Sequence, residues 1–390
     1  MEQKSAILNY FLTVKSINGK IHAPSNLSGP TQEEVMSVVS SIFDVSAMGR
    51  TLDTLHFKIE DGEFKSKFVD LAQKLERRDL VCKLEELKDG RYIIVTRFPQ
   101  RKKSRWKSSS WTPRILFVIV VVFVMVDGYY RTENANVIFD IGDPLEMAGI
   151  YTLALLGILG IHESGHLVAA RFHKLRTTWP YFIPGLPIIG IPTFGAFIQS
   201  KGLTINREIL YDVAIAGPIA GLVIAIIVSV FAAYTAPVID SETIEQLPDE
   251  VRLVDWGLGE PLLMTATLAI FGKGGDGQVV LMTPLLFAAW VGFLITFLNL
   301  LPAWQLDGGH MARTLLSEKW HRYATYASMG VLVLLGYWMM AMLIFFLSSR
   351  SPAAQPLDDI SPLPKNRKLM YVMIIVLAIL CAPLPAGFLS

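Results

Sequence analysis

Cysteine is nearly missing from this chain. Cys82 and Cys381 are the only two in 390 residues; one lies in a charged segment and the other in an apolar run, so no disulfide framework is expected to hold the fold. Charge is scarce as well: Asp, Glu, Lys and Arg make up 18% of the residues and balance to a formal +1, which leaves no basic excess with which to bind a nucleic acid. The opening MEQKSAILNYFLTVKSINGK has no long apolar core and is not expected to be a cleavable leader. Internal repeats and low-complexity tracts are also lacking. What the chain has in abundance is apolar side chains, 52% of the residues, at a mean hydropathy of +0.44. That composition is of a polytopic α-helical membrane protein, not a soluble one.

A hydrocarbon core about 30 Å thick takes roughly 20 apolar residues per helix, and by that measure the chain offers about six transmembrane helices. They run over 113–130, 145–171, 209–235, 282–301, 324–347 and 369–389. The basic segments RKKSRWKSSSWTPR, RFHKLRTT and SEKWHRY flank the first, second and fifth runs, which predicts that these loops and both termini face the cytoplasm. The expectation is a multi-pass protein of the plasma membrane. One segment conflicts with it: SSRSPAAQPLDDISPLPKNRK falls outside by alternation yet carries Arg350, Lys365, Arg367 and Lys368.

Residues 1–100 are patterned as a small soluble cytoplasmic α/β domain, joined by a basic linker over 101–112 to a membrane domain over 113–390. Thr31 stands three residues before Glu34, the spacing of a capping box that opens a helix. TLHFKIE and RYIIVTRF alternate as strands do, DLAQKLERR reads as helix, and KDG between LVCKLEEL and RYIIV marks a hairpin turn. The region has no cluster of site-like residues, so a regulatory or packing role is expected of it.

In the second apolar run, LLGILGIHESGHLVAARF places His162, Glu163 and His166 where lipid is expected. A charge at the bilayer centre costs about 2.5–3.5 kcal/mol on insertion scales, so such residues point to function; a polar interhelical contact is the alternative. His162 and His166 lie one helical turn apart on one face, with Glu163 beside them. This is the His-Glu-x-x-His arrangement for zinc, in which two neutral imidazoles bind the ion and a carboxylate held off the metal takes a proton from water.

A catalytic zinc needs a third protein ligand and an open position. Near the end of the fourth run, FLNLLPAWQLDGGH brings Asn299, Pro302, Asp307, Gly308 and Gly309 close together. Proline and paired glycines break a helix and free its backbone groups, which a membrane tolerates only inside protein or beside water. A broken helix bearing a carboxylate is therefore expected at a site, the plainer alternative being a helix end with a capping Asp and a glycine stop.

Together, His162-Glu163-Ser164-Gly165-His166 and Asn299-x-x-Pro302-x-x-x-x-Asp307-Gly308 resemble the site-2 protease family of intramembrane zinc metalloproteases. PTFGAFIQ, with Gly195 and Phe197, is similar to that family's glycine-x-phenylalanine segment in a membrane-associated β-hairpin. AGPIAG, with Gly217, Pro218 and Gly221, is similar to its small-residue packing helix, and PLDDISPL near Pro356 is similar to the branch shared by archaea and plant plastids. The likeness runs from near Tyr130 to the C-terminus. It implies zinc on His162, His166 and Asp307, Glu163 as the base, and Asn299 as a polar group near the reacting carbonyl. Substrates would be transmembrane segments of other membrane proteins, cut within the lipid bilayer. The loop over 236–281 is too short for the PDZ domain of other members.

In the expected chemistry Glu163 takes a proton from water and passes it to the leaving amine. Asn299 either donates to the developing oxyanion or makes an interhelical hydrogen bond. Residues 193–200 form a candidate exposed strand for an unwound substrate, or else a loop packed on the bundle. His310 reads as capping or solvent-facing, with support of a neighbouring metal ligand as the alternative, and His173, among Arg171, Lys174 and Arg176, as an interfacial basic residue. Two rival functions remain, a zinc transporter and a membrane zinc peptidase of the prenyl-protein-processing type. Gly165 before the second histidine argues against the first, and Asp307-Gly308 in place of a downstream glutamate argues against the second.

Overall fold

The computed structural model describes residues 31–51, 54–97, 111–175, 177, 180–186, 191–197, 204–240, 257–275, 277–350 and 355–385. Thr31 caps α1 (Gln32–Ser40) as its spacing predicts: the Glu34 N–H donates to Thr31 Oγ1 at 3.2 Å and the Thr31 N–H to the Glu34 carboxylate at 3.0 Å. There follow β1 (Val45–Thr51), β2 (Thr54–Ile59), α2 (Lys65–Glu76), β3 (Leu80–Leu87) and β4 (Gly90–Arg97), whose strands make an antiparallel sheet in the order β1-β2-β4-β3. Leu87 pairs with Gly90 around Lys88-Asp89, and Gly90 has a φ of 143°, a conformation that disfavours side chains. Alternation along the strands buries Phe57, Ile59, Cys82, Leu84, Ile93 and Val95 against Phe68, Leu71 and Leu75 of α2. Burial pushes the Cys82 thiol up to about 12, and both cysteines are free.

Three helices among the described residues are long and apolar enough to cross a membrane: α3 (Thr112–Asn136), α4 (Pro144–Phe172) and α5 (Arg207–Thr235). This is a membrane protein, mostly helical, with small sheets. Between α4 and α5 the chain makes an antiparallel hairpin of β5 (Tyr181–Leu186) and β6 (Ile191–Phe197). Phe182 of the hairpin meets Phe117 of α3, ring centroids 4.9 Å apart. Gly195 adopts a φ of 93°, which explains a glycine inside that strand. Residues 198–200 of the candidate substrate strand and the linker over 101–110 lie outside the described residues.

α3 is fastened to α4 by charge. Tyr151 Oη and Arg131 Nε both donate to Asp127 Oδ2 at 2.7 Å, and the Arg131 guanidinium stacks over Phe287 at 3.4 Å. Losing Asp127 takes from the Tyr151 hydroxyl and the Arg131 guanidinium the buried acceptor that they share. Asp127→Ala is expected to cost roughly 2–3 kcal/mol, below the usual range for buried pairs because Arg131 is partly exposed and keeps its aromatic face. Thermal unfolding in detergent measures this, and an unchanged midpoint would show that the pair contributes nothing.

Beyond α5 come β7 (Val238–Asp240), β8 (Glu260–Pro261), α6 (Leu262–Ile270), β9 (Gln278–Val280) and α7 (Pro284–Leu300). The chain then makes α8 (Asp307–Leu315), α9 (Glu318–Leu334), α10 (Trp338–Arg350), α11 (Lys365–Cys381) and β10 (Pro383–Leu384). The fifth apolar run, expected to be one span over 324–347, is split at Gly336. Gly336 has a φ of 86°, and the Tyr337 N–H donates back to the Leu332 carbonyl, a glycine-type helix stop. Tyr337 Oη then donates to the Leu258 carbonyl, beside the β8–β10 pair. At the opposite end of the bundle, the Leu357 N–H bonds Thr204 O, and the Leu84 N–H bonds Leu357 O. α10 therefore returns to the side from which α9 set out; at about 1.5 Å per residue it advances about 20 Å on the way.

This turn corrects the expected topology. Arg367 donates to both carboxylate oxygens of Asp212 at 2.7 and 2.8 Å, near the start of α5. The basic segment before α11 thus lies on the same side as the N-terminal sheet, not on the opposite one, and β10 ends on the opposite side. The core of the N-terminal sheet also extends into the membrane unit: Ile205 and Ile209 belong to it, and Leu357 and Ile360 pack against it.

Candidate metal centre

Asp143 opens α4 by accepting the Leu145 and Glu146 N–H groups, with Pro144 at the first helical position. From there α4 runs unbroken through His162 and His166. Asn206 opens α5 by accepting the Ile209 N–H. The two helices approach closely because small residues line their contact. A Cβ on Gly165 would run into the Ala216 carbonyl, one on Gly217 into the His166 ring, and one on Gly221 would lie 3.0 Å from His162. The AGPIAG segment is thus the floor on which both imidazoles rest.

The third side chain arrives from a broken helix, as the sequence predicts. α7 stops at Leu300, residues 301–306 are irregular with Trp304 at a φ of 44°, and α8 begins at Asp307. Gly308 and Gly309 lie so near the carbonyls of Leu300, Leu301, Ala303 and Trp304 that neither has room for a Cβ. Pro302 ends one helix, and the glycines let the next fold back on it.

His162 Nε2 and His166 Nε2 stand 3.2 Å apart, and Asp307 Oδ2 is 3.4 Å from the first and 3.3 Å from the second. One ligand atom from each of these residues falls within a 4.8 Å cluster. Asn299 Nδ2 is 3.4 Å from His162 Nε2. His162 and Glu163 are buried, at 4% and 8% exposure. His166 Nδ1 lies 2.8 Å from the Val213 carbonyl. Because a carbonyl only accepts, Nδ1 carries the proton, and the lone pair is on Nε2, facing the cluster. Two imidazole nitrogens and one carboxylate oxygen, with the imidazole tautomer set by a backbone carbonyl, form a donor set that suits a divalent transition metal.

The Val213 carbonyl was not legible in the sequence, since a main-chain acceptor has no residue type. His173 pairs with Asp212, Nε2 to Oδ2 at 3.2 Å. His310 is half-buried on α8. Gly217→Ala is expected to push the His166 ring out of place and weaken metal binding by about 10–100-fold, as displaced ligand supports generally do. Metal content of the purified variant after dialysis tests this; a full complement would mean the helices separate without disturbing the ring.

The model of peptidase family M50 matches residues 150–343, which include all five candidate residues. The chain is 30% identical over 245 residues to a protein named "Probable zinc metalloprotease EGY2, chloroplastic" from Arabidopsis thaliana, covering 59% of this chain and 41% of that protein. It is 32% identical over 237 residues to "Probable zinc metalloprotease EGY1, chloroplastic" of the same plant, covering 58% and 41%. An Oryza sativa subsp. indica protein with the EGY2 name is 28% identical over 295 residues, 71% of this chain and 51% of that one. The chain thus spans about half the length of these relatives or less. No solved structure matches it. By its family match and these relatives, the chain belongs to peptidase family M50, the site-2 protease family.

Proposed function

We propose that this chain is an intramembrane zinc metalloprotease that hydrolyses peptide bonds within transmembrane segments of other membrane proteins. The observation that carries the reading is the meeting of His162 Nε2, His166 Nε2 and Asp307 Oδ2, from two separate helices, beside the buried Glu163. These three side chains are the zinc ligands in this reading, and Glu163 and Asn299 are the catalytic groups. Zinc, when bound, supplies the Lewis acidity that makes water nucleophilic at neutral pH and steadies charge on the scissile carbonyl. Glu163, rigid on α4 and shielded from solvent, accepts the proton of the attacking water on its carboxylate and hands it to the leaving amine nitrogen. Asn299 Nδ2, next to His162, donates to the carbonyl oxygen as charge builds there. M50 membership weighs against a zinc transporter and against the prenyl-protein-processing type.

His166 precedes the end of α4 at Phe172 by six residues, or about 9 Å of helix, so the chemistry is placed inside the membrane but near one face. That face holds the N-terminal sheet and the basic residues Arg171, Lys174, Arg207 and Arg367, and by the excess of positive charge it is cytoplasmic. α3, α4, α5, α7 and α11 are then single crossings, and α9 and α10 run across and back as a helical hairpin between the last two. We place the protein in the plasma membrane; the chloroplast in the relatives' names is theirs.

The test is cleavage of a single-span substrate of known orientation in liposomes, with the cut mapped by mass spectrometry. The expected scissile bond lies in the cytoplasmic half of the substrate helix, and a chelator abolishes cleavage until zinc is restored. A cut in the opposite half overturns the placement. Zinc flux without any cleavage overturns the protease reading.

A further inference from the structure

Residues 355–364, ahead of α11, are tied down. The Leu357 N–H donates to Thr204 O and the Asp358 N–H to Ile205 O, at 2.9 and 2.8 Å, while Leu357 O accepts the Leu84 N–H from the edge strand β3. Asp358 is fully buried and turns its carboxylate inward: Oδ1 accepts the Ile360 and Ser361 N–H groups, and Oδ2 accepts the Ser361 hydroxyl. The next residue, Asp359, faces the bundle from this fixed segment. Arg313 Nη2 donates to its Oδ2 at 2.7 Å and Arg313 Nη1 to its Oδ1 at 3.4 Å, while Arg207 Nε donates to Oδ1 at 2.9 Å.

Those two arginines stand on the helices that complete the metal cluster. Arg313 lies on α8, whose first residue is Asp307, and its side chain is only 4% exposed. Arg207 is the first residue of α5, which bears the Val213 carbonyl on His166 and the glycines under both imidazoles. α8 is short and its N-cap, Leu306, supplies no side-chain hydrogen bond. Its own turns therefore do little to fix Asp307, which is held by the close fit of Gly308 and Gly309 at one end and by Arg313 at the other.

We propose that Asp359 is a positioning residue for the metal centre: by bridging Arg313 of α8 and Arg207 of α5, it sets the distance between the Asp307 carboxylate and the His162–His166 pair. A charged group accepting from two guanidinium groups, one nearly buried, makes strong and directional bonds. The segment that presents it is itself bonded to the N-terminal sheet, so that sheet supports the site from outside the membrane although none of the candidate residues lies in it.

The inference rests on the protease reading for the identity of the ligands, and its test is separable from that reading because it needs no substrate. Zinc-loaded full-length protein is mixed with excess chelating dye, and the rate of zinc loss is followed for the wild type, Asp359→Asn, Asp359→Glu and Arg207→Gln. Asp359→Asn is expected to lose zinc about tenfold faster, the low end for a residue acting through a ligand's support. Asp359→Glu should recover part of that difference. Arg207→Gln, at the more exposed arm, should show a smaller acceleration and stands in if Asp359→Asn does not fold. In a cleavage assay Asp359→Asn should lower kcat and leave KM unchanged. Zinc loss at the wild-type rate in Asp359→Asn, or in Arg207→Gln if only that variant folds, overturns the proposal. So does a fall in the unfolding temperature with no change in zinc loss, since that is a purely structural role. A wild type that holds zinc but cleaves nothing would instead count against the protease reading alone.

Discussion

Replacing Glu163 by Gln is expected to reduce cleavage by about 10²–10⁴-fold while leaving bound zinc at the wild-type level. The glutamine amide fills nearly the same volume on α4 but cannot take a proton from water. The proposed zinc ligands His162, His166 and Asp307 are untouched by the substitution. Cleavage of a model transmembrane substrate and metal analysis of the same preparation measure both halves of the expectation. Hydrolysis within tenfold of wild type, zinc retained, would remove Glu163 from the role of base.

Asp307→Ala is expected to have the opposite profile. It removes one of the three proposed protein donors, and a site left with two imidazoles holds zinc poorly. Affinity should fall beyond the roughly 100-fold that loss of a mere supporting group produces, and cleavage should fall with it. His162→Ala should match it, whereas Glu163→Gln should not, so the three variants together separate holding the metal from moving the proton. Full zinc occupancy in Asp307→Ala, with unchanged X-ray absorption geometry, would assign the third position to another residue.

The long helices were legible because their cause is local. α3, α4 and α5 follow the first three apolar runs closely. Thr31 with Glu34, and Lys88-Asp89-Gly90, were equally readable, each being a bond or turn within a few residues. Gly336 was not. A single glycine in an apolar run is tolerated in a helix, and only its φ of 86° and the Tyr337–Leu258 bond turn it into the tip of a helical hairpin. The misplacement of Arg350, Lys365, Arg367 and Lys368 follows from that one residue, because a missed turn inverts every later loop.

By itself the sequence determined that the chain is a membrane protein and that His162, Glu163 and His166 share a helix turn. It also set the break before Asp307, since apolar length, a spacing of four and a Pro/Gly pair act through nearest neighbours along the chain. Tertiary structure alone decided that Asp307 reaches both imidazoles and that a backbone carbonyl at Val213 holds His166. It alone decided that glycines at 217 and 221 leave room for the rings, and that Asp359 joins two helices far from it in sequence. The physical reason is that these contacts depend on how closely helices approach and on which main-chain groups they leave unpaired. Both are properties of packing between distant segments, which no local spacing encodes.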